Sequence, residues 1–196
     1  MSEHVEGQPD LTGAAGAAER APSWREVLRE DVRAHRGEVT SPGLHAVLVH
    51  RFGAARPSMP RRLQPLARLV HRLAFVAVRN LYGIELPATV DLGRRVRIAH
   101  QSGIVIHPFA VIGDDCVLRQ NVTLGAGGGE GEAFKRQAPR LGARVSVGAG
   151  AAVVGAVRVG DGARIGPNAT VLTHVPAGAT VLAPPNRVMR RPVPDA

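Results

Sequence analysis

The sequence predicts a mainly β fold: a left-handed parallel β-helix built from hexapeptide repeats, preceded by a small α-helical segment. From Val90 to Val171, a small or branched residue is followed two positions later by an aliphatic one, and these pairs recur every six residues with two interruptions. A period of six fits neither a helix nor an alternating strand, and it is typical of a parallel β-helix whose short strands turn their aliphatic residues inward. Because only 3% of the chain is aromatic, the core must be built from Val, Ile, Leu and Ala.

The N-terminal part of the chain changes character near residue 23. Residues 1–22 are rich in Gly, Ala, Glu and Pro without periodicity, which predicts a disordered tail. Ser23 and Glu26 then have the spacing of a capping box, so a first helix is expected to begin here. Asp31 falls within the apolar stripe of this helix, and we expect it at an edge of the stripe that reaches water.

Two further helices are predicted before the repeats. Ser41-Pro42 has the pattern of a capping residue followed by proline at the first helical position. A third helix is expected from about Pro60 or Pro65 to Leu81, before a glycine that serves as a stop signal. The predicted helical segment therefore covers residues 23–84.

The predicted β-helix covers residues 85–183 and is followed by a C-terminal tail, 184–196. One glycine-rich and charged loop, 125–139, lies where a further coil would be expected. Such a loop either folds over a neighbouring surface and serves function or is a tolerated insertion. Cys116 occupies a small-residue position of the repeat, which favours a packing role for its thiol.

Composition and charge narrow the classes of partner. The formal net charge is +9, but the arginines are scattered and the chain has one Tyr and one Trp. We therefore expect no nucleic acid partner and favour an anionic small molecule. No apolar run approaches the roughly 20 residues of a membrane span, and the N-terminus lacks a signal pattern, so we expect a cytoplasmic protein with no membrane association. The single cysteine excludes an intrachain disulfide and a cysteine-based zinc cluster.

His100 is the residue that the repeat pattern alone does not explain. It interrupts a coil where a small residue would pack more easily, just before the apolar run that begins at Gly103. Hexapeptide β-helices are mostly acyltransferases, with zinc hydratases as a minority. A zinc site needs three histidines from adjacent coils, and His100, His107 and His174 are not spaced to meet at one metal, so we expect no metal. Acyl transfer to a hydroxyl needs one base near neutral pKa, and His100 fits this role.

At this point the chain resembles the serine acetyltransferases. In that family the segment reads Asp-His-x-x-Gly-Ile-Val, and the resemblance extends to the first helix and to the end of the repeats. The segments that carry it are Glu30-Asp31-Val32, His100-Gln101-Ser102-Gly103-Ile104-Val105-Ile106, Ala110-Val111-Ile112-Gly113, Asn121-Val122-Thr123-Leu124-Gly125 and Pro185-Asn186-Arg187.

The resemblance implies an acetyl-CoA-dependent O-acetyltransferase in which His100 is the general base and Glu85 holds its ring. It also implies a homotrimer, or a dimer of trimers, with acetyl-CoA bound in a groove between neighbouring β-helices, and a small-molecule hydroxyl acceptor. The residues that would contact acetyl-CoA are Gly125, Gly148, Ala149, Gly166, Pro167 and Arg187.

The chain departs from the family at the residues that would bind serine. Asp31 matches, but Ala99 replaces the aspartate before the catalytic histidine, and Gln137-Ala138 replace an Arg-His pair. Without a cation for the substrate carboxylate, we expect poor saturation by serine and weak inhibition by cysteine. The C-terminal Asp195-Ala196 lacks the aliphatic end that enters cysteine synthase in some members, so no such complex is expected.

Three alternatives to serine acetylation stay open on the sequence. The acceptor can be a sugar or a secondary metabolite rather than serine. The fold can also serve as a non-catalytic hexapeptide scaffold, which would consume no thioester with any acceptor. An arginine-rich nucleic acid binder would instead show steep salt-dependent binding.

Overall fold

The structure is a computed structural model that describes residues 22–185, 187 and 189. The predicted disordered tail falls almost wholly outside these residues. So do Asn186 of the family-like segment and the chain end, with Asp195 and Ala196, on which the cysteine synthase prediction depends. No helix among the described residues is both long enough and apolar enough to cross a bilayer.

Three α-helices precede the repeats, as the sequence predicts: α1 (Trp24–Ala34), α2 (Pro42–Ala55) and α3 (Gln64–Tyr82). A short 3-10 helix, Arg56–Ser58, follows α2 directly. The capping box of α1 is complete, since the Glu26 amide donates to Ser23 Oγ at 3.3 Å and the Ser23 amide donates to Glu26 Oε2 at 2.5 Å. Ser41 occupies the N-cap position of α2, but its side chain makes no capping hydrogen bond.

Asp31 is the only buried residue of α1, so its expected position at a water-exposed edge is wrong. Its carboxylate is fully buried and paired with Arg51 of α2, whose Nε lies 3.0 Å from Oδ2. The same guanidinium donates to the carbonyls of Leu92 and Gly93 at 2.7 and 2.5 Å. The pair therefore joins two helices to the first coil of the repeats.

Fourteen short strands follow in the described residues, separated by turns and by one short helix. In chain order they are β1 (Ile84–Glu85), β2 (Asp91–Leu92), β3 (Arg97–Ile98), β4 (Ile104–Ile106), β5 (Val111–Ile112), β6 (Val117–Leu118), β7 (Thr123–Gly125), β8 (Arg140–Leu141), β9 (Ser146–Val147), β10 (Ala152–Val154), β11 (Arg158–Val159), β12 (Arg164–Ile165), β13 (Thr170–Val171) and β14 (Thr180–Val181), with helix α4 (Gly131–Arg136) between β7 and β8.

The strands form three parallel sheets, one for each face of a triangular column. Sheet A has the order β1-β4-β7-β10-β13, sheet B β11-β8-β5-β2 and sheet C β14-β12-β9-β6-β3. The chain visits A, B and C in turn, so each coil adds one strand to each sheet; the exception is the last coil, which passes from β13 in sheet A to β14 in sheet C and meets sheet B only through a parallel bridge between Val159 and Val175. This confirms the predicted hexapeptide β-helix, and the paired aliphatic residues of the repeat fill its interior.

The thiol of Cys116 has the packing role that the repeat predicts. It is fully buried and donates to the Gly142 carbonyl at 3.1 Å. Burial raises the pKa of this thiol to about 11, so it stays protonated near neutral pH.

The 125–139 loop is not wholly irregular, because it contains α4. It folds over its own β-helix at the edge between sheets A and B. The ring of Phe134 lies 4.2 Å from that of His107, between ring centroids, and Lys135 Nζ lies 5.6 Å from the centre of the Phe109 ring. Burial lowers the pKa of His107 beneath this loop.

Candidate active site

His100 lies at the edge of the column where the chain passes from sheet C to sheet A. The strand register aligns Ile98, Leu118, Val147 and Ile165 in successive coils of sheet C. Two residues after each of these stands the same corner position, and its occupants from coil to coil are His100, Gln120, Ala149 and Pro167. The edge therefore begins with an exposed imidazole, continues with an amide side chain and ends with a strip of two smaller residues.

Two adjoining cavities meet at His100, and both lie between this edge and the helices. One has a volume of about 290 Å³ and the other about 560 Å³. Their shared lining is Glu38, Ser41, Ala99 and His100. The smaller also reaches Arg36 and Arg97, and the larger also reaches Gln120.

Glu38 is brought to the site by the turn that ends α1. Arg36 and Gly37 adopt left-handed backbone angles, with φ of 61° and 76°, and the Gly37 amide donates to the Val32 carbonyl at 2.9 Å. This turn ends the helix and directs the chain across the β-helix toward Ser41. Glu38 was missed in the sequence because nothing in its local pattern indicates that the turn passes beside His100.

His35 fixes the end of α1 against the β-helix. Its Nδ1 donates to the Asp31 carbonyl at 2.8 Å, and its Nε2 accepts from the Ile98 amide at 3.2 Å. These bonds require the neutral ring with its proton on Nδ1. Burial lowers the pKa of His35 and favours this neutral form.

Arg97 is the second residue that sequence reasoning missed. It lies on β3, half-buried, and lines the smaller cavity with Glu38 and His100. No carboxylate among the described residues lies within ion-pair distance of its guanidinium. Because the side chain of Ile98 faces the interior, the alternation of the strand predicts an ordinary solvent-facing side chain for Arg97. Its place in the cavity became apparent only from the structure.

Glu85, the expected partner of His100, lies half-buried on β1 at the first coil of sheet A. Its neighbour in the next coil is Val105. Although sheet A begins at the edge that His100 occupies, no hydrogen bond joins these two side chains in the described structure. Glu85 lines neither cavity at His100, and its pairing with the base stays a prediction.

Asp31 does not line either cavity. Its buried carboxylate is held by Arg51, so the structure gives it a role in joining helices rather than in contacting a small molecule. The acidic residue that reaches the site from the helical segment is Glu38.

The remaining expected site residues divide between two edges of the column. Gly148, Ala149, Gly166 and Pro167 lie on the His100 edge, below it in the stack. Gly125 ends β7 at the other edge of sheet A, where Gln137 lines a cavity of about 530 Å³ with Gly127 and Gly155. Ala138 is buried and Arg187 is exposed. One chain therefore does not bring Gln137 or Ala138 to His100.

The site contains a base, charged side chains of both signs and polar groups that lack a hydrogen-bond partner. His100 is exposed, the Ser41 hydroxyl is not used as a cap, and Gln120 has a buried Oε1 without a hydrogen-bond partner. Among the described residues, no three His, Cys, Asp or Glu side chains gather as a metal site. These groups suit proton transfer from a small polar molecule.

Comparison with known proteins agrees with this geometry. The family model described as bacterial transferase hexapeptide (six repeats) matches residues 138–173. The parallel β-helix and this match indicate the class, a transferase built from hexapeptide repeats.

The relatives of this chain identify the family. Serine acetyltransferase of Helicobacter pylori (strain J99) is 42% identical over 163 residues, which cover 82% of this chain and 90% of that protein. Serine acetyltransferase of Mycobacterium tuberculosis is 38% identical over 154 residues, covering 79% of this chain and 63% of that protein. The chain belongs to the serine acetyltransferase family.

Solved structures resemble the fold as a whole. The soybean serine acetyltransferase apoenzyme matches with a TM-score of 0.70 and 28% identity, covering 86% of this chain and 70% of that one. Serine acetyltransferase from Brucella abortus strain S19 in complex with coenzyme A matches with a TM-score of 0.69 and 25% identity, covering 84% and 66%. The chain thus spans about two thirds of these structures.

Proposed function

We propose that this protein transfers the acetyl group of acetyl-CoA to the hydroxyl of serine. The observation that carries the proposal is the placement of His100, an exposed base at the junction of two cavities lined by charged and polar groups. Solved family members in complex with serine and with coenzyme A support both substrates.

His100 acts as the general base in this proposal. It takes the proton of the acceptor hydroxyl as the oxygen attacks the thioester carbonyl, and the resulting oxyanion is stabilised by backbone N–H groups of the coil. When the C–S bond breaks, the imidazolium returns the proton to the leaving thiolate. Glu85 orients the ring once substrate is bound, because catalytic hydrogen bonds often form only in the complex.

The strip formed by Ala149 and Pro167, further along the edge that begins at His100, supports a binding role for this edge. Gln120 follows the base directly, and neither Ala149 nor Pro167 below it has a long side chain. A long, thin pantetheine arm can lie along such a strip and hydrogen-bond to main-chain groups. The thioester would then meet the acceptor at His100.

Two features support an assembly of more than one copy, in keeping with the expected trimer. The candidate residues lie on two different edges of one column, so a neighbouring copy is needed to bring Gln137 toward His100. In addition, α3 exposes a row of large apolar residues on the face opposite to its buried one; these are Leu66, Leu69, Val70, Leu73, Val76 and Leu81, called the outer stripe below. We propose that a second copy covers this stripe.

The absence of a cysteine synthase complex stays a prediction.

The structure alters the argument for poor serine binding. That expectation assumed that no other charged residue replaces those missing at Ala99, Gln137 and Ala138. Glu38 and Arg97 supply a carboxylate and a guanidinium within the cavity at His100. Serine is therefore the acceptor that the site supports best, with sugars and secondary metabolites as the alternatives to compare.

The test is thioester consumption, followed as free thiol released from acetyl-CoA with serine and with a panel of other hydroxyl acceptors. We expect serine to be consumed, and His100→Ala to lower turnover by about 10²–10⁴-fold while coenzyme A binding persists. Glu85→Gln should cost less, since it affects only orientation. Near-full turnover by His100→Ala would rule out this mechanism, and no thiol release with any acceptor would favour the scaffold alternative.

A further inference from the structure

We propose that His107 and Phe134 form a latch that holds the 125–139 loop against the β-helix, closed while the imidazole is neutral and released when it is protonated. Phe134 is then a positioning residue, because the loop that it anchors carries Gln137, which lines the cavity at the same edge of sheet A. Only the consequence for acetyl-CoA rests on the proposed function; the latch itself is a property of the fold.

The loop has one anchor on the column. From residue 127 to residue 136, Phe134 is the one residue that is not exposed. The stem before α4 contains Gly128 and Gly129, both at positive φ, 140° and 93°. A glycine-rich backbone of this kind gives the loop little stiffness of its own. Its closed position therefore depends on what Phe134 contacts.

Phe134 contacts a histidine that the fold has buried. The centroids of the Phe134 and His107 rings lie 4.2 Å apart, and the Phe109 ring lies 6.0 Å from the same imidazole. The whole chain has only four phenylalanines, so two of them are placed at this contact. Aromatic rings at these separations attract each other beyond the effect of buried area. The closed loop therefore surrounds the imidazole with apolar rings.

Hydrogen bonding also selects the neutral imidazole. Its Nδ1 accepts from the Phe109 amide at 3.1 Å, which places the ring proton on Nε2. Nε2 is buried and has no hydrogen-bond partner among the described residues. A second proton would gain a cation–π contact with Phe134, but it would break the Phe109 hydrogen bond and place two donors face to face. It would also bury a charge away from water.

No nearby group supplies a counter-charge to a protonated His107. The strand register places Pro87 and Gly125 at the equivalent positions of the neighbouring coils, and neither titrates. The charged side chains of α4 and its N-cap are all exposed: Glu130, Glu132, Lys135 and Arg136. Lys135 and Glu132 pair with each other at 2.6 Å. No described carboxylate forms an ion pair with His107, so protonation destabilises the closed loop.

The direction of the pH dependence follows from the two states of the loop. Burial lowers the pKa of His107 in the closed form, and the Phe134 backbone acts in the opposite direction. When the loop opens, water reaches the ring and its pKa returns toward the ordinary value of about 6.5. The open form then binds the proton better, so closure weakens as the pH falls below about 6.5. The closing equilibrium decreases by at most about tenfold per pH unit.

Hydrogen exchange of the loop tests the latch without an assay of activity. Four amides that donate within the loop report its closure: Ala133, Phe134, Gln137 and Ala138. We expect their protection, corrected for the intrinsic exchange rate, to fall by up to about tenfold between pH 6.5 and 5.5. His107→Phe, which keeps a ring that does not titrate, should remove this pH dependence. Phe134→Ala should leave the loop unprotected at every pH.

Arg136→Ala is the matched control, because Arg136 is exposed on the same short helix. It should keep the wild-type protection and its pH dependence. In the enzyme assay, Phe134→Ala should raise the KM for acetyl-CoA by about tenfold rather than lower kcat, since binding must then close an unanchored loop. His100→Ala acts on kcat instead, so the two effects are distinguishable.

The outcomes separate the latch from the proposed function. Equal protection at pH 6.5 and 5.5 in the wild type would overturn the latch, as would an undiminished pH dependence in His107→Phe or Phe134→Ala. If His107→Phe folds poorly, Phe134→Ala decides, because Phe134 lies in the loop outside the column. A wild-type KM for acetyl-CoA in Phe134→Ala would overturn the positioning role. No thiol release with any acceptor would refute the proposed function, and hydrogen exchange would still decide the latch.

Discussion

At the scale of single residues, the two acidic side chains of the helical segment have opposite roles. Asp31 has the expected family position, yet it is fully buried and bound to Arg51. Glu38 has no recognisable sequence pattern, yet it lines the cavities at His100. A charged residue inside an apolar stripe is either exposed at the edge of the stripe or buried with a partner of opposite charge. The sequence did not distinguish these two cases for Asp31, because its partner Arg51 lies on another helix.

We expect Asp31→Asn to lower the free energy of unfolding by about 3–5 kcal/mol, because it leaves the buried Arg51 guanidinium without its counter-charge. Urea unfolding followed by circular dichroism measures this. Glu132→Gln, which breaks the exposed pair with Lys135, is the control and should leave the midpoint close to the wild-type value. A wild-type midpoint for Asp31→Asn would contradict a structural role and would reopen a role for Asp31 in substrate binding.

At the scale of elements, the repeats could be predicted and the contacts between helices and repeats could not. The six-residue period alone determines which residues of sheets A, B and C face inward, because each coil repeats the same packing. His100 was found because it places an ionisable ring where a small residue would pack more easily. Arg97 and Glu38 were not found, since the first has an ordinary outward position and the second lies in a turn whose path depends on how α1 docks.

That docking depends on two buried histidines. His35 joins the end of α1 to Ile98, and the Nε2 of His50 on α2 donates to the Val90 carbonyl at 3.0 Å. Burial lowers the pKa of both rings, and that of His50 falls from 6.5 to about 4. Both rings are therefore neutral in the folded protein at neutral pH.

The lowered pKa values predict a loss of stability in acid. Above about pH 6.5, both rings are neutral in the folded and unfolded states, so they contribute no pH dependence. As the pH falls from about 6.5 to about 4, the unfolded chain binds protons that the folded protein does not, and stability decreases. His50 alone accounts for about 3 kcal/mol over this window.

Melting temperatures measured between pH 7.5 and 4.5 should show this decline in stability. His50→Gln should make the decline shallower, and an unchanged slope would show that His50 does not cause it.

At the scale of the whole molecule, the candidate site residues are divided between two edges of the β-helix, and one apolar face of α3 is uncovered. The His100 edge has the base, the other edge of sheet A has Gln137 and the 125–139 loop, and α3 turns its outer stripe away from α2. Ala67 and Val78 are the buried residues of α3, so this helix is apolar on two opposite faces. A helix of this kind is stable in water when both faces are covered, which a single chain does not achieve.

We therefore expect Leu73→Glu to dissociate the assembly, because it places a carboxylate in the middle of the outer stripe, where a second copy would bury it without a partner. Light scattering coupled to size-exclusion chromatography should show the mass falling from that of a trimer or hexamer toward that of one chain. Turnover should fall with it, since the proposed groove lies between two copies. Arg68→Glu is the control, because Arg68 is exposed on the same helix but lies away from the stripe. A wild-type protein that is monomeric and fully active at assay concentration would contradict the shared groove, and an unchanged mass for Leu73→Glu would exclude the outer stripe from the interface.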